Sequence, residues 1–201
     1  MVEATVHVID DDEAMRDSLS FLLDTASLPN RTYESALQFL DQLDQLTPGC
    51  IVTDVRMPDM NGLELVRRLK ERGVGHPMIV ITGHGDVPLA VEAMKAGVAD
   101  FLEKPFEEDA LLRAIRSALT DGARAQEDLE EKRRLKAIFE ELSPREQQVL
   151  EGVVAGKLNK VIAFELGISP RTVEVYRANM MSKTGARGLS ELVRMVLQTR
   201  R

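Results

Sequence analysis

Over roughly its first 120 residues the chain alternates two hydrophobic periods, and that alternation restricts the possible folds more than any other feature. Short apolar runs rich in Val and Ile stand at TVHVID (5–10), CIVTDV (50–55), MIVITG (78–83) and ADFLEK (99–104), with a weaker run at NRTY (30–33). Between them lie stretches with helical spacing, among them Met15, Leu19, Leu22 and Leu23; Leu37, Leu40 and Leu43; Leu63, Leu65, Val66 and Leu69; Leu89, Val91, Ala93 and Met94; and Leu111, Leu112, Ile115 and Leu119. Five strands alternating with five helices predict an α/β fold, a doubly wound five-stranded parallel sheet with helices on both faces. The near-continuous apolar character of the strands agrees, because parallel strands are covered on both sides.

Past this region the pattern changes twice. Residues 122–141 form a charged, proline-free stretch that predicts a helical linker, with Gly122 as the place where it could hinge. Its short stripe of Leu135, Ile138, Phe139 and Leu142 suits either a solvated linker or a dimer seam. Residues 142–201 then read as compact helices with clear start signals. Ser143-Pro144-Arg145-Glu146 is a capping box with proline at the first helical position, and Ser169-Pro170 opens another helix the same way. The expected organisation is 1–121, a sheet domain; 122–141, a linker; and 142–201, an all-α domain.

Charge divides along the same line. Residues 141–201 hold 10 Lys/Arg and 6 Asp/Glu, a balance of +4, whereas the residues before them carry −11 within a total of −7. An acidic front and a basic back suggest two tasks, the second with a polyanion. Cys50 is the single cysteine, so no intramolecular disulfide forms, and its place in an apolar strand predicts a buried, unreactive thiol. No apolar run reaches about 18 residues, and the N-terminus MVEATVHVIDDD lacks a basic region followed by an apolar one. A soluble cytoplasmic protein with no membrane partner is expected.

The strands end in polar residues, which is where an open parallel sheet binds its ligands. The first ends in Asp10-Asp11-Asp12, the third in Asp54, the fourth in Thr82 and the fifth in Lys104-Pro105. Each has a plain reading when taken singly: the acid triplet caps a helix, Thr82 serves a turn, and Lys104 lies on a surface turn. Together they converge on one rim. Clustered carboxylates resist ionisation unless a cation sits among them. Mg²⁺ suits such a site, since it takes one or two carboxylates together with waters and phosphate oxygens. Lysine and a hydroxyl beside such a cation describe a site where a carboxylate nucleophile accepts a phosphoryl group.

In the all-α part, NKVIAFELGISPRTVEVYRANMMSK (159–183) is two helical stretches about a turn at Gly167-Ile168-Ser169. This fits a helix-turn-helix whose second helix enters the major groove of double-stranded DNA. Lys160, Arg171, Arg177 and Lys183 are candidates to neutralise phosphates, with Thr172, Tyr176 and Asn179 as hydrogen-bond donors. Glu174, Val175 and Ala178 are placed to meet base edges.

VIDDDEAMRDSL (8–19), TDVRMPDMNGLEL (53–65), ITGHGD (81–86) and MKAGVADFLEKPF (94–106) resemble the receiver domain of two-component response regulators, whose fold is flavodoxin-like. That resemblance implies Asp54 as phosphoacceptor, with a histidine kinase as phosphodonor. It implies Asp10 and Asp11 as the acidic pair that holds Mg²⁺ with Asp54 and the carbonyl of Arg56. Thr82 and Phe101 would be the switch residues and Lys104 the phosphate-pairing lysine, followed by a cis proline. Asp12 has no role in the pattern and reads as a helix cap. Residues 142–198 resemble the LuxR-type four-helix DNA-binding domain, with Glu174 where many members carry lysine; its closing helix, GLSELVRMVLQ, is the dimerising element there. The two halves together are similar to regulators of the FixJ type, which implies a homodimer when phosphorylated and control of nitrogen fixation. Regulators of the same build serve other sensors. An enzyme of the haloacid dehalogenase type would place a second acid two residues after the nucleophile, and Arg56 stands there instead. A receiver acting only through protein partners would not need the +4 half.

Overall fold

The computed structural model describes residues 4–83 and 87–200. His84, Gly85 and Asp86 of the ITGHGD motif, and the first three residues, lie outside them. Five strands, β1 (Thr5–Ile9), β2 (Asn30–Tyr33), β3 (Gly49–Asp54), β4 (Met78–Thr82) and β5 (Asp100–Glu103), form one sheet in the order β2-β1-β3-β4-β5. All four pairings are parallel.

Strand alternation sorts the core onto two faces. Val6 and Val8, Cys50 and Val52, and Ile79 and Ile81 point one way, onto α1 (Glu13–Thr25) and the first turns of α5 (Glu108–Glu140), where Leu19, Leu23, Leu111 and Ile115 meet them. Ile9, Ile51, Met78 and Val80 point the other way, onto Phe39 of α2 (Ala36–Asp41), Leu65 and Leu69 of α3 (Gly62–Glu71), and Ala93 of α4 (Val87–Ala96). The doubly wound sheet is therefore covered twice, as its apolar strands require. Cys50 is fully buried, and burial pushes its thiol pKa up to about 12, which keeps it unreactive. The second helix is shorter than its leucine spacing suggests, because Leu43 falls in a separate 3₁₀ turn (Leu43–Gln45).

His7 is the one buried histidine among the described residues. Its Nε2 donates to the Thr47 carbonyl at 3.1 Å, and its Nδ1 lies 3.1 Å from the Tyr33 hydroxyl, partners that suit a neutral ring. Burial lowers its pKa, opposed by the Thr47 hydrogen bond and reinforced by His76 and Arg31. The unfolded chain takes up a proton near 6.5 and the folded chain only at lower pH. His7 therefore contributes stability that is complete above about pH 6.5 and declines as pH falls through the window beneath it. Urea midpoints should fall between about pH 7.5 and 5.5, less steeply in His7→Asn; identical slopes would assign the acid sensitivity elsewhere.

The chain divides into two compact units, residues 1–126 and 127–201. Helix α5 runs unbroken through this division and through Gly122. Gly122, where the linker could hinge, lies in regular helix, and a Cβ there would meet Pro77 Cδ at 3.0 Å, so close approach gives the glycine a packing reason as well. The second unit contains the end of α5 and four helices, α6 (Pro144–Val154), α7 (Asn159–Leu166), α8 (Pro170–Thr184) and α9 (Leu189–Arg200). Leu142, Val149, Ile162, Val173, Met180 and Leu192 form its core, with Phe139 packed against it. Leu135 is also buried, and with Ile138 it lines a cavity of about 340 Å³ beside Met195. The apolar stripe of the linker is thus spent largely within its own unit. Both predicted starts are present: Ser143 and Glu146 form a reciprocal capping box, and Ser169 Oγ accepts the Thr172 amide at 3.1 Å.

Candidate functional site

The register of the sheet brings the predicted acidic residues to one edge. Ile9 pairs with Thr53, so Asp10 follows β1 beside Asp54 at the end of β3. Asp54 pairs with Ile81, which sets Thr82 one residue further along β4, and Thr82 pairs with Glu103, the residue before Lys104. Lys104 Nζ lies 2.7 Å from Asp54 Oδ1 and 2.9 Å from Asp10 Oδ2. Both carboxylates are buried, their side chains 9% and 5% exposed, and the lysine offsets the cost of holding them there. Burial alone would push the lysine pKa down, but hydrogen bonds and charge from Asp54 and Asp10 outweigh it and hold the pKa above its ordinary value.

The remaining carboxylate oxygens are also held. Asp54 Oδ2 accepts the Arg56 amide at 2.5 Å and Asp10 Oδ1 accepts the Asp12 amide at 2.9 Å. Gly62 is needed just behind, because a Cβ there would fall 2.2 Å from the Asp54 carbonyl oxygen. Thr82 is fully buried, Phe101 packs half-buried against the core on the α3 and α4 side, and the Lys104-Pro105 peptide is cis. Asp11 and Arg56 are exposed and share the lining of a cavity of about 620 Å³ with Val55, Met57 and Leu89. Asp12 caps α1, its side chain accepting the Ala14 amide at 2.9 Å and the Met15 amide at 3.3 Å.

One contributor escapes a reading of the sequence. Arg16 donates from its guanidinium to the Asp10 carbonyl at 2.8 Å and so braces the backbone that carries the acid pair. Its position one turn into α1 after the acid triplet is the only sign the sequence offers.

The donor set suits a hard cation. The set expected from the sequence, Asp10, Asp11 and Asp54 with the Arg56 carbonyl, offers only oxygen donors, the chemistry Mg²⁺ prefers. Among the described residues no group of three acidic, histidine or cysteine side chains is gathered into a cage. Mg²⁺ habitually keeps several waters, so one or two carboxylates suffice.

On α8, Arg171, Glu174, Val175 and Ala178 share one face and line a shallow cleft of about 400 Å³. Their spacing of three and four residues makes them a single helix surface. Asn179 is exposed beside them, as is Lys160 on α7. The other four predicted residues are engaged within the fold. The Thr172 hydroxyl lies 2.8 Å from Ser169 Oγ, Tyr176 packs against the core, Arg177 donates to Asn159 Oδ1 at 2.6 Å, and Lys183 donates to Glu146 Oε2 at 2.7 Å. Among the described residues no helix is long and apolar enough to cross a membrane.

Residues 6–116 match the response regulator receiver domain, and residues 140–196 match the bacterial regulatory proteins of the luxR family. The chain belongs to the two-component response regulators that carry a LuxR-type DNA-binding domain. It is similar to the transcriptional regulatory protein FixJ of Bradyrhizobium diazoefficiens, 53% identical over 96% of this chain and 94% of the relative. The response regulator TmoT of Ectopseudomonas mendocina is 46% identical over 96% of this chain and 88% of its own length. Among solved structures, the response regulator StyR superposes with a TM-score of 0.85 at 44% identity, over 98% of this chain and 99% of that one. The family generally comprises regulators rather than enzymes. The receiver implies a histidine kinase as phosphodonor and ordinarily works with Mg²⁺, and the helical domain implies DNA binding.

Proposed function

We propose that the chain is a transcription regulator switched on by phosphorylation of Asp54, and that Lys104 bridging Asp10 and Asp54 is the observation that carries this reading. A carboxylate oxygen of Asp54 attacks the phosphorus of a phosphohistidine on the partner kinase. The P–O bond forms as the P–N bond breaks, and the electron pair leaves on the imidazole. Lys104 moves from pairing two carboxylates to pairing the incoming phosphoryl oxygens. Asp10, Asp11, Asp54 and the Arg56 carbonyl would hold Mg²⁺, which when bound neutralises charge on the transferring group. Beyond slow loss of its own phosphoryl group, the chain turns over no substrate.

The acyl phosphate adds about −1.5 to −2 charges at an already acidic rim, so its effect must pass through an element with two arrangements. Thr82 and Phe101 are that element: the hydroxyl follows the phosphoryl oxygens, and the aromatic ring lies on the adjoining strand. The active conformation is a minor state before phosphorylation, and the phosphorylated receiver forms a homodimer. In the second unit α8 enters the major groove. The resemblance to FixJ supports an activator of nitrogen-fixation genes, responsive to oxygen through its kinase. The similarity to TmoT supports the alternative, a regulator of the same build serving another sensor. The protein acts in the cytoplasm.

The face of α8 supplies the test. Arg171 at the helix start should contribute through phosphate, so Arg171→Ala should lower the salt slope of binding by about one unit without altering base preference. Glu174 and Val175 should read bases, so Glu174→Ala should change the preferred sequence at a cost of about 1–3 kcal/mol at one position. Binding titrations against site variants at several salt concentrations separate the two. If Glu174→Ala weakens every sequence equally while Arg171→Ala alters the preferred base, this helix does not dock as described.

A further inference from the structure

The first turn of α6 and the last turn of α8 meet at one buried carboxylate. Glu146 is 3% exposed, and its Oε2 accepts both the Ser143 amide and the Lys183 ammonium, each at 2.7 Å. The capping box accounts for the first bond and would be complete without the second. Lys183 comes from 37 positions along the chain, at the end of the helix proposed to read DNA. Its hydrogen bond, with those from Ser143, holds the Glu146 carboxyl below the usual carboxylate range despite its burial.

We infer that Glu146 and Lys183 are a positioning pair for DNA recognition, with Lys183 setting the angle of α8 through Glu146 in place of contacting a DNA phosphate. This rests on the reading of α8 as the groove-binding helix. Only the carboxylate is buried, the Lys183 side chain being 41% exposed; such a pair adds little net stability, and the best-attested use of an ion pair with a buried member is to select one geometry. The lever here is long. Lys183 lies twelve residues beyond Arg171, about 18 Å along the helix. A tilt of roughly 10° about that end moves Arg171 by about 3 Å, more than a base-edge hydrogen bond tolerates. Val173 and Met180, both fully buried, fix which face turns inward, but apolar contacts are less directional than a hydrogen-bonded pair. Lys183 also places its charge at the C-terminal end of α8, where the helix dipole favours a cation.

The experiment uses the phosphorylated full chain and two duplexes, one of random sequence and one enriched from a random pool by the parent protein. Glu146→Gln, Lys183→Met and the double variant are compared at a temperature where unfolding curves show each fully folded. Each single change should weaken binding to the enriched duplex by roughly tenfold, the scale of one lost base contact. The double variant should be no weaker than either single, as expected for residues acting as a unit. The salt slope should match the parent throughout. Removing the negative charge of Glu146 should by field alone strengthen DNA binding, so a loss has the sign that positioning requires. Lys183→Arg, which can still reach Glu146, should restore most of the affinity.

A slope lower by about one unit in Lys183→Met, on both duplexes, would make Lys183 a phosphate contact and overturn the proposal. Unchanged specific affinity in Glu146→Gln would overturn it too. Should the single variants fail to fold, the double variant, which leaves no unpaired buried charge, decides by its slope alone. A parent that binds neither duplex overturns the DNA-binding reading and this proposal with it. Where the parent binds both duplexes, any departure of the variants from these expectations falls on the Glu146–Lys183 pair alone.

Discussion

Asp54→Asn should fold like the parent and take up no phosphoryl group from a small phosphodonor, where the parent is labelled at that residue. The asparagine keeps the shape of the side chain and can still face Lys104, which retains Asp10 as an ionic partner at 2.9 Å. What is lost is the anionic oxygen that attacks phosphorus; Asp10 and Asp11, proposed to hold the cation, should not take its place. Chelating divalent cations should suppress labelling of the parent almost as completely, because the carboxylates would then carry the added phosphoryl charge with Lys104 alone. Peptide mapping after labelling checks both effects. Full labelling of Asp54→Asn, or labelling indifferent to chelator, would remove Asp54 and the cation from the account.

The second large effect concerns Lys104 and stability. In chelator at neutral pH, Lys104→Met should unfold about 3 kcal/mol more easily than the parent, the scale for removing one partner of a buried ion pair. The lysine side chain is only 20% exposed, and the carboxylates facing it 5% and 9%, so solvent screens the interaction weakly. Methionine fills much of the aliphatic stem, which confines the change to the charge. Adding Mg²⁺ should return part of the loss, more than it adds to the parent, since a divalent cation among the same oxygens relieves the same repulsion. Urea midpoints in chelator and in Mg²⁺ give both numbers. Equal stability of variant and parent in chelator would show that the two acids do not depend on the lysine.

Which of these features are legible in the sequence follows from where the physical signals lie. Strands covered on both faces must be apolar almost throughout, so β1, β3 and β4 stand out, and a polar residue ending each one is conspicuous. Asp10, Asp54 and Thr82 can be seen for that reason, Lys104 follows the half-exposed edge strand β5, and the parallel register then brings them together. Arg16 cannot be seen, because a guanidinium bonded to a backbone carbonyl leaves no pattern in side-chain spacing. Glu146 is legible as half of a capping box, which is local, but its bond to Lys183 spans 37 residues and depends on how α6 and α8 pack. The same limit applies to Arg177 and Lys183, which read as free cations beside DNA yet are bonded within their own domain. In the linker, an apolar stripe looks alike whether it faces a second copy or its own core. Burial of Leu135 and Leu142 and packing of Phe139 assign most of that stripe to the core.

Coupling between the acidic rim and the helix proposed to read DNA would make the two units one regulator. One binding titration tests it: the full chain against its enriched duplex, before and after treatment with a phosphodonor in Mg²⁺, with Asp54→Asn alongside. Phosphorylation should raise affinity at least about tenfold, with two protomers bound per duplex and the salt slope increased by the second protomer's contacts, while Asp54→Asn stays at the untreated level. Equal affinity and one protomer per duplex before and after verified phosphorylation of Asp54 would contradict it.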